Sequence, residues 1–490
     1  MYSSVTSCTL VGVVPRPIKI ETTISYSKRG SFTIVGLPDA AVRESRERVR
    51  AAIKQQGFRF PGGNVVVNLS PADLPKSGVT FDLPIALSVL AASSEEPLSF
   101  DRFVCVGELS LRGDVRPVRA ALGATLVADE QRKTCMLASA TTIAAPPDAD
   151  LAGIESLRQA VDVALGRTLP TDVRSPDEWL GVFQSDMDVI RGHSLARRAF
   201  EIAAAGGHHI LMVGPPGAGK TMLAHAFPGI LPALKPRQLR EVALIHAAAG
   251  AQDLRSSAAP FRAPHHSASI PALVGGGSGI PTPGEVSLAH HGVLFLDELG
   301  EFNPSVLDAL RQPIEQGEIV VARQGATVTF PSRVQIVAAS NPCPCGNYKD
   351  RRDPCGCSDG RLERYRARLS GPFLDRFDMR LNVQRLSPNE MMSEPGEGSS
   401  SIRRRVEQAR TIQVERSGLN RDLCRSELDA IPTTVSAQKA LTAAANVDTM
   451  TARGWDRIRK VSRTIADLSS CEAVAGDHVD EAMSLRAEMP

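Results

Sequence analysis

The chain has 490 residues and a formal net charge of +2, so it is too long for one ordinary core and shows no global excess of basic charge for a polyanion. No apolar run reaches the ~18 residues a membrane span requires, and "MYSSVTSC" lacks the basic-then-apolar pattern of a signal peptide, so a cytoplasmic protein with no membrane partner is expected. Nine mostly scattered cysteines do not form the framework of a secreted disulfide scaffold.

In chain order, residues 8–35 carry strand patterns, with Ile18, Ile20, Thr22, Ile24 and Tyr26 alternating against more polar neighbours. "PDAAVRESRERVRAAIKQQG" predicts a helix capped by Asp39, with Val42, Val49 and Ile53 on one face and Gly57 at its end. "NVVVNLS" predicts a strand, "FDLPIALSVLAAS" a buried helix, and "FVCVGELSLRGDVRPV" a hairpin. These patterns give a first domain over 1–165, a Pro-rich, charged linker over 166–189, an alternating α/β core over 190–385, a polar linker over 386–401 and a helical domain over 402–490.

The core opens with "HILMV" followed by "GPPGAGKT" and an apolar helix. In this strand–loop–helix setting Gly214, Pro215, Pro216, Gly217, Ala218 and Gly219 form a phosphate-cradling loop for ATP. Lys220 is placed to reach the outer phosphates, and Thr221 to ligate Mg²⁺. In "GVLFLDELGEF", four apolar residues predict a buried parallel strand with Asp297 and Glu298 at its C-terminal end, where open α/β sheets hold ligands. Asp297 suits the Mg²⁺ shell and Glu298 the activation of water. The strand "VQIVAAS" ends at Asn341, a polar group at the level of a γ-phosphate. Arg376, in "SGPFLDRFDMRL", has the charge that phosphoryl transfer gains most from, although an arginine alone carries little information.

Directly after Asn341 come Cys343, Cys345, Cys355 and Cys357, spaced C-x-C-x9-C-x-C. Three readings stay open: a structural Zn²⁺ cage, a metal-free loop and a redox pair. A basic tract overlaps them, with Lys349, Arg351, Arg352, Arg361, Arg364, Arg366 and Arg368 outnumbering Asp350, Asp353, Asp359 and Glu363. Tyr348 and Tyr365 are the only rings nearby, which favours backbone tracking over base reading. His265 and His266 suggest a metal pair, but adjacent side chains diverge.

Taken together, "GPPGAGKT", "FRAPHHSASIPALVGGG", "PGEVSLAHHGVLFLDELGEF", "FPSRVQIVAASNPCPCG", "LSGPFLDRFD" and "ARGWDRIRKVSRTIADL" resemble the YifB/ComM type of magnesium-chelatase-like AAA+ ATPases, in order and over nearly the whole chain. "GLPDAAVRESRERVRAAI" and "VNLSPADLPKSGVTFDLPIAL" are similar to the Lon-protease-like domain that opens such proteins. Thr80 stands near the expected nucleophilic serine and "VRPVRAALGA" has no lysine, so no proteolysis is expected. The resemblance implies a multidomain α/β protein: a Lon-like α+β domain, a P-loop AAA+ core with a parallel sheet, and a helical lid. It makes Asn341 the sensor-1 residue, Arg376 an arginine finger acting on a neighbour, and Arg453 the sensor-2 arginine, with Arg457 and Arg463 weaker candidates. It places the hairpin 317–331, with Arg323, at a ring channel, and departs at His291, where asparagine is expected. The implied activity is that of an ATP-driven homo-oligomer, a hexamer, that translocates or remodels DNA in branch migration, a helicase-like task. The alternatives are a chelatase motor that helps insert a metal into a porphyrin, and a protein-remodelling ATPase.

Overall fold

A computed structural model describes the chain except residues 29, 75, 77, 174–184, 251–256, 278–279, 324–325, 349–353, 370, 447–449 and 488–490. Lys349, Asp350, Arg351, Arg352 and Asp353 of the basic tract, and the Gln324-Gly325 turn, lie outside the described residues.

The N-terminal region is a seven-stranded mixed sheet in the order β3-β4-β2-β1-β5-β6-β7. Its strands are β1 (Tyr2–Val11), β2 (Val14–Ser25), β3 (Ser31–Val35), β4 (Asn64–Ser70), β5 (Phe103–Cys105), β6 (Thr134–Ala138) and β7 (Leu151–Ile154). The alternation in β2 buries Ile18, Ile20 and Thr22, while Tyr26 falls beyond the strand and is exposed. Helix α1 (Ala40–Gln55) starts where expected: Asp39 Oδ1 accepts from the Val42 N–H, and Val42, Val49 and Ile53 are buried. Helix α2 (Asp82–Ser93) is buried almost throughout. The expected hairpin over 103–118 needs correction. Phe103–Cys105 joins the main sheet, and only Glu108–Leu109 pairs with Val115–Arg116, because three consecutive buried residues satisfy a central strand better than an edge. The first part of the expected linker also has structure, since Thr171 exchanges both backbone bonds with Gly153 at the sheet edge. In the Lon-like segment Thr80 is buried, and Lys76 is buried with its ammonium on the Pro71 carbonyl.

The second sheet is wholly parallel: β8 (Ile210–Val213), β9 (Phe261–Arg262), β10 (Val293–Leu296), then β13 (Gln335–Ser340) and β14 (Met379–Asn382), in the order β9-β10-β13-β8-β14. The strand before the P-loop thus lies between two strands that come later in sequence, which opens a crevice at the carboxyl ends. Between β10 and β13 the chain makes the expected antiparallel hairpin, β11 (Glu318–Arg323) and β12 (Ala326–Pro331). Arg323 is exposed at its tip. The turn between β1 and β2 packs on this hairpin: Gly12 lies so close to Val328 that a Cβ would meet its Cγ1 at 2.1 Å.

The C-terminal region is helical, as expected, but its first long helix, Ser399–Arg416, begins inside the stretch read as a linker. The serine run forms its first turn, where the Ser399 hydroxyl receives the Met187 N–H. Another short helix, Pro388–Met391, is held by reciprocal bonds between Ser387 and Glu390. No described helix is long and apolar enough to cross a membrane.

Candidate nucleotide site

Strand register builds the crevice. Val213 of β8 pairs with Ser340 of β13, so the P-loop begins level with Asn341, and the Gly214 N–H donates to the Ser340 carbonyl. Gly217 and Gly219 both adopt positive φ, near 75° and 80°, which turns the loop back over the helix Lys220–Ala226. Pro215, Pro216 and Ala218 complete the loop, with Ala218 buried. Lys220 is 8% exposed, and its ammonium donates to the carbonyls of Gly214 at 2.6 Å and Pro215 at 2.9 Å and to Asn341 Oδ1 at 3.3 Å. Burial lowers the pKa of this lysine, and the nearby Asp297 carboxylate opposes that shift.

The Thr221 hydroxyl donates to Asp297 Oδ2 at 3.0 Å, across 76 residues. These two oxygens fit a hard divalent cation such as Mg²⁺, which binds through a few protein oxygens beside phosphates. Glu298 follows in a left-handed conformation, φ 52°, at the end of β10. Its Oε2 lies 3.1 Å from His266 Nδ1. Register explains this meeting: Arg262 of β9 pairs with Leu294 of β10, so His266 and Glu298 each stand four residues further on. The His266 ring lies tilted against His265, centroids 4.0 Å apart, and is set edgewise on Phe302. The pair that suggests a metal in the sequence thus supplies a partner for the carboxylate. Recognising Phe261–Arg262 as the neighbour of β10 would have found it.

Arg376 and Arg453 lie elsewhere. Both line a cavity of about 880 Å³ together with Arg457, Lys460, Glu315 and Asp378, and none of residues 214–221, 297, 298 or 341 lines it. Arg376 pairs with Glu315 at 2.5 Å and donates to the Pro372 carbonyl at 3.1 Å, but its buried Nε has no hydrogen-bond partner. Burial lowers its pKa; Glu315 opposes this, while Arg453, Arg311 and Arg457 reinforce it. Arg463 is buried and paired with Asp467 at 2.9 Å, a structural role within the lid.

The four thiols after Asn341 converge, with all sulfurs within 4.8 Å of one another. Cys343 lies 3.3 Å from Cys345 and 3.7 Å from Cys355, and Cys345 lies 3.5 Å from Cys355. A tetrahedral ion with Zn–S bonds of about 2.3 Å sets sulfurs roughly 3.8 Å apart, so the cluster fits Zn²⁺. The Asn347 N–H, and after it the Cys343 sulfur, lower the Cys345 thiol to about 6, whereas burial, first, raises the Cys343 and Cys357 thiols. The loop also touches the P-loop, because a Cβ on Gly346 would meet Pro216 Cδ at 2.4 Å.

Glu241, His290 and His291 form a second convergent group. The Arg333 N–H donates to His290 Nδ1 at 3.0 Å, so the ring's proton is on Nε2, which faces Glu241 Oε2 at 3.3 Å. That tautomer donates to the carboxylate and offers it no lone pair for a metal. Burial alone would raise the Glu241 carboxyl, but the bonds from His291 and His290 hold it at about 2. His291, the departure from the family pattern, thereby joins a clamp on the helix Pro236–Ala248.

Of the two rings near the basic tract, Tyr365 is 5% exposed and Tyr348 lies under the Arg366 guanidinium.

Comparison with known proteins gives this geometry a family. Residues 186–391 match the family described as magnesium chelatase, subunit ChlI. Residues 20–141 match that of subunit ChlI of Mg-chelatase, and residues 396–486 that of the subunit ChlI C-terminal region. The chain is 40% identical over 497 residues to the uncharacterized protein YifB of Escherichia coli (strain K12), covering 97% of this chain and 95% of that protein. It is 41% identical over 501 residues to competence protein ComM of Haemophilus influenzae, covering 97% and 96%. It is 39% identical over 498 residues to the uncharacterized protein Rv2897c of Mycobacterium tuberculosis, covering 96% and 95%. A P-loop sheet with magnesium-chelatase and YifB/ComM relatives along almost its full length makes the chain a member of the YifB/ComM family of magnesium-chelatase-like AAA+ ATPases.

Proposed function

We propose that the chain is one subunit of an ATP-hydrolysing ring, a homo-hexamer, that moves along or remodels DNA in the manner of branch migration. The observation that carries the reading is the separation of the two charged sites. Lys220, Thr221, Asp297, Glu298 and Asn341 converge in one crevice, whereas Arg376 and Arg453 line a cavity those residues do not reach. Phosphoryl transfer gains from an arginine at the phosphates, and the absence of Arg376 and Arg453 from their own chain's crevice supports the reading that they serve the nucleotide of an adjacent subunit.

In this reading the P-loop residues Gly214 to Thr221 bind ATP, and Lys220 and Asn341 contact the γ-phosphate. Thr221 and Asp297 would hold Mg²⁺, which when bound neutralises phosphate charge. Glu298 takes the proton of the attacking water, and His266 fixes the direction of its carboxylate. Cys343, Cys345, Cys355 and Cys357 would hold a structural Zn²⁺ that pins their loop. DNA is contacted through its phosphates by the exposed Arg361, Arg364 and Arg366; Arg368 is half occupied by Glu301 at 3.5 Å. Membership of the YifB/ComM family, from which the DNA expectation comes, supports this reading.

The test is ATP hydrolysis measured with single-stranded, duplex and branched DNA at rising salt. Stimulation that weakens with salt is expected. An ATPase indifferent to all three, with no salt-sensitive DNA binding, overturns the DNA reading. Activity in a reconstituted metal-insertion system would instead favour the chelatase reading that the family descriptions suggest.

A further inference from the structure

The helix Asp359–Arg368 follows the thiol loop directly and presents arginines to solvent, but its aromatic residue faces inward. The Tyr365 hydroxyl donates to the Asn341 carbonyl at 3.0 Å. The Ser340 hydroxyl lies 3.1 Å from that same carbonyl and 3.2 Å from the phenol oxygen. Both lone pairs of the carbonyl are therefore engaged, and the peptide that follows the strand is held from two sides. Burial, first, raises the Tyr365 phenol above its ordinary value, so it is a neutral donor near pH 7.

The turn after Glu298 is shaped to admit this ring. A Cβ on Gly300 would meet the Tyr365 hydroxyl oxygen at 2.3 Å and ring carbons at 2.4 and 2.5 Å. Three residues along the helix, Arg368 pairs with Glu301 of the same turn at 3.5 Å. One side chain thus touches the end of β13 and the turn after β10, the two strands whose ends carry Asn341, Asp297 and Glu298. On the other side of that peptide, Asn341 Oδ1 accepts from Lys220.

We infer that Tyr365 is a positioning residue for Asn341: its hydroxyl fixes the Asn341 peptide so that the carboxamide faces Lys220 and the phosphates, and it makes the arginine-bearing helix the lever that moves this peptide. The inference rests on Asn341 contacting the γ-phosphate, as proposed above, and adds the route by which a polyanion on the helix changes ATP hydrolysis. The helix cannot shift while the contact stays intact, because withdrawal of the hydroxyl removes a bond from a half-buried carbonyl.

The decisive variant is Tyr365→Phe, which keeps the ring that fills the space beside Gly300 and removes one oxygen. Its kcat should fall roughly tenfold, the loss of one part-buried hydrogen bond, about 1 kcal/mol, expressed in the barrier. The KM for ATP should stay within about twofold, and the melting temperature within about 4 °C. In an Asn341→Ala background the same change should cost nothing more, because the group it positions is gone. Wild-type kcat in Tyr365→Phe, a loss confined to KM or to unfolding, or a full further loss on top of Asn341→Ala overturns the inference. A duplex oligonucleotide in the same assay separates it from the DNA reading. Wild type should be stimulated while Tyr365→Phe binds the duplex equally and is not. Equal stimulation of both overturns the lever. A wild type that neither binds nor responds overturns the DNA reading and with it the lever, while the DNA-free kinetics decide the positioning role.

Discussion

The nucleotide crevice and the arginine cavity are opposite kinds of charged site. In the crevice, Lys220 has three acceptors from its own chain, and Thr221 and Asp297 satisfy each other. In the cavity, Arg376, Arg453 and Arg457 lie close enough to oppose one another's charge, with Glu315 as the acid on Arg376 and a buried Arg376 Nε left unbonded. Asp378 offsets part of this, 3.6 Å from Arg457, and the remaining like-charge repulsion is relieved by an anion. The crevice gathers the P-loop lysine, the cation-ligand oxygens and the two carboxylates but no arginine, whereas the cavity gathers the arginines, and in the proposed ring each supplies what the other lacks.

The strongest way to break this contrast is to remove the charge at the centre of each site. Lys220→Ala should abolish ATP binding and hydrolysis together, measured by nucleotide binding and phosphate release. Arg376→Ala should keep ATP binding and lose about 10³-fold in kcat, the scale of an arginine finger. Mixing the two inactive proteins under subunit exchange should restore part of the rate, because some interfaces then join an intact crevice to an intact cavity. If every mixture stays inactive, the two sites do not meet across an interface.

The two sites also differ in how far they could be seen in the sequence. The crevice is local chemistry: a glycine-rich loop after an apolar strand, and an acidic pair after another, each set by short spacing. Parallel register then places Asp297 against Thr221 without further information. The cavity depends on how the lid helix Ala452–Leu468 sits against the core, a tertiary fact that no spacing encodes, so Arg453 could be named but not located. Tyr365 shows the same limit: nothing in its place within a basic tract signals that its partner is a backbone carbonyl 24 residues away. The Ser399–Ser401 run looked like a linker because serine favours turns, yet a buried face at Ile402, Val406 and Ala409 carries the helix.

Acid should affect the core that supports both sites. His209 Nδ1 accepts the Ile336 N–H and His290 Nδ1 accepts the Arg333 N–H, so each ring must stay neutral where β13 begins. Burial, first, lowers His209 to about 3 and His290 to about 4. Unfolded imidazoles titrate near 6.5, so below that pH the unfolded chain binds more protons than the folded one. Stability is therefore full above about pH 6.5 and falls as pH drops towards 4, by on the order of 3 kcal/mol for each imidazole. Thermal melts at pH 7.5 and 5 check this, and a core that melts equally at both removes these imidazoles as the cause.

The smallest expected effect tests whether the thiol loop belongs to the crevice. Gly346 rests on Pro216 of the P-loop, whereas the loop's cysteines do not line the arginine cavity. Cys343→Ser/Cys355→Ser should lose one zinc per chain, measured by elemental analysis, and should weaken ATP binding about two- to fivefold as the loop slackens against Pro216. It should still complement Lys220→Ala subunits through its intact Arg376, because nothing in the cavity has been changed. A wild-type protein that is folded, metal-free and has four titratable thiols would show that the cluster closes without an ion. Lost complementation with ATP binding retained would mean instead that the loop acts at the interface. The division of labour between crevice and cavity would then not be the one that separates Lys220 from Arg376.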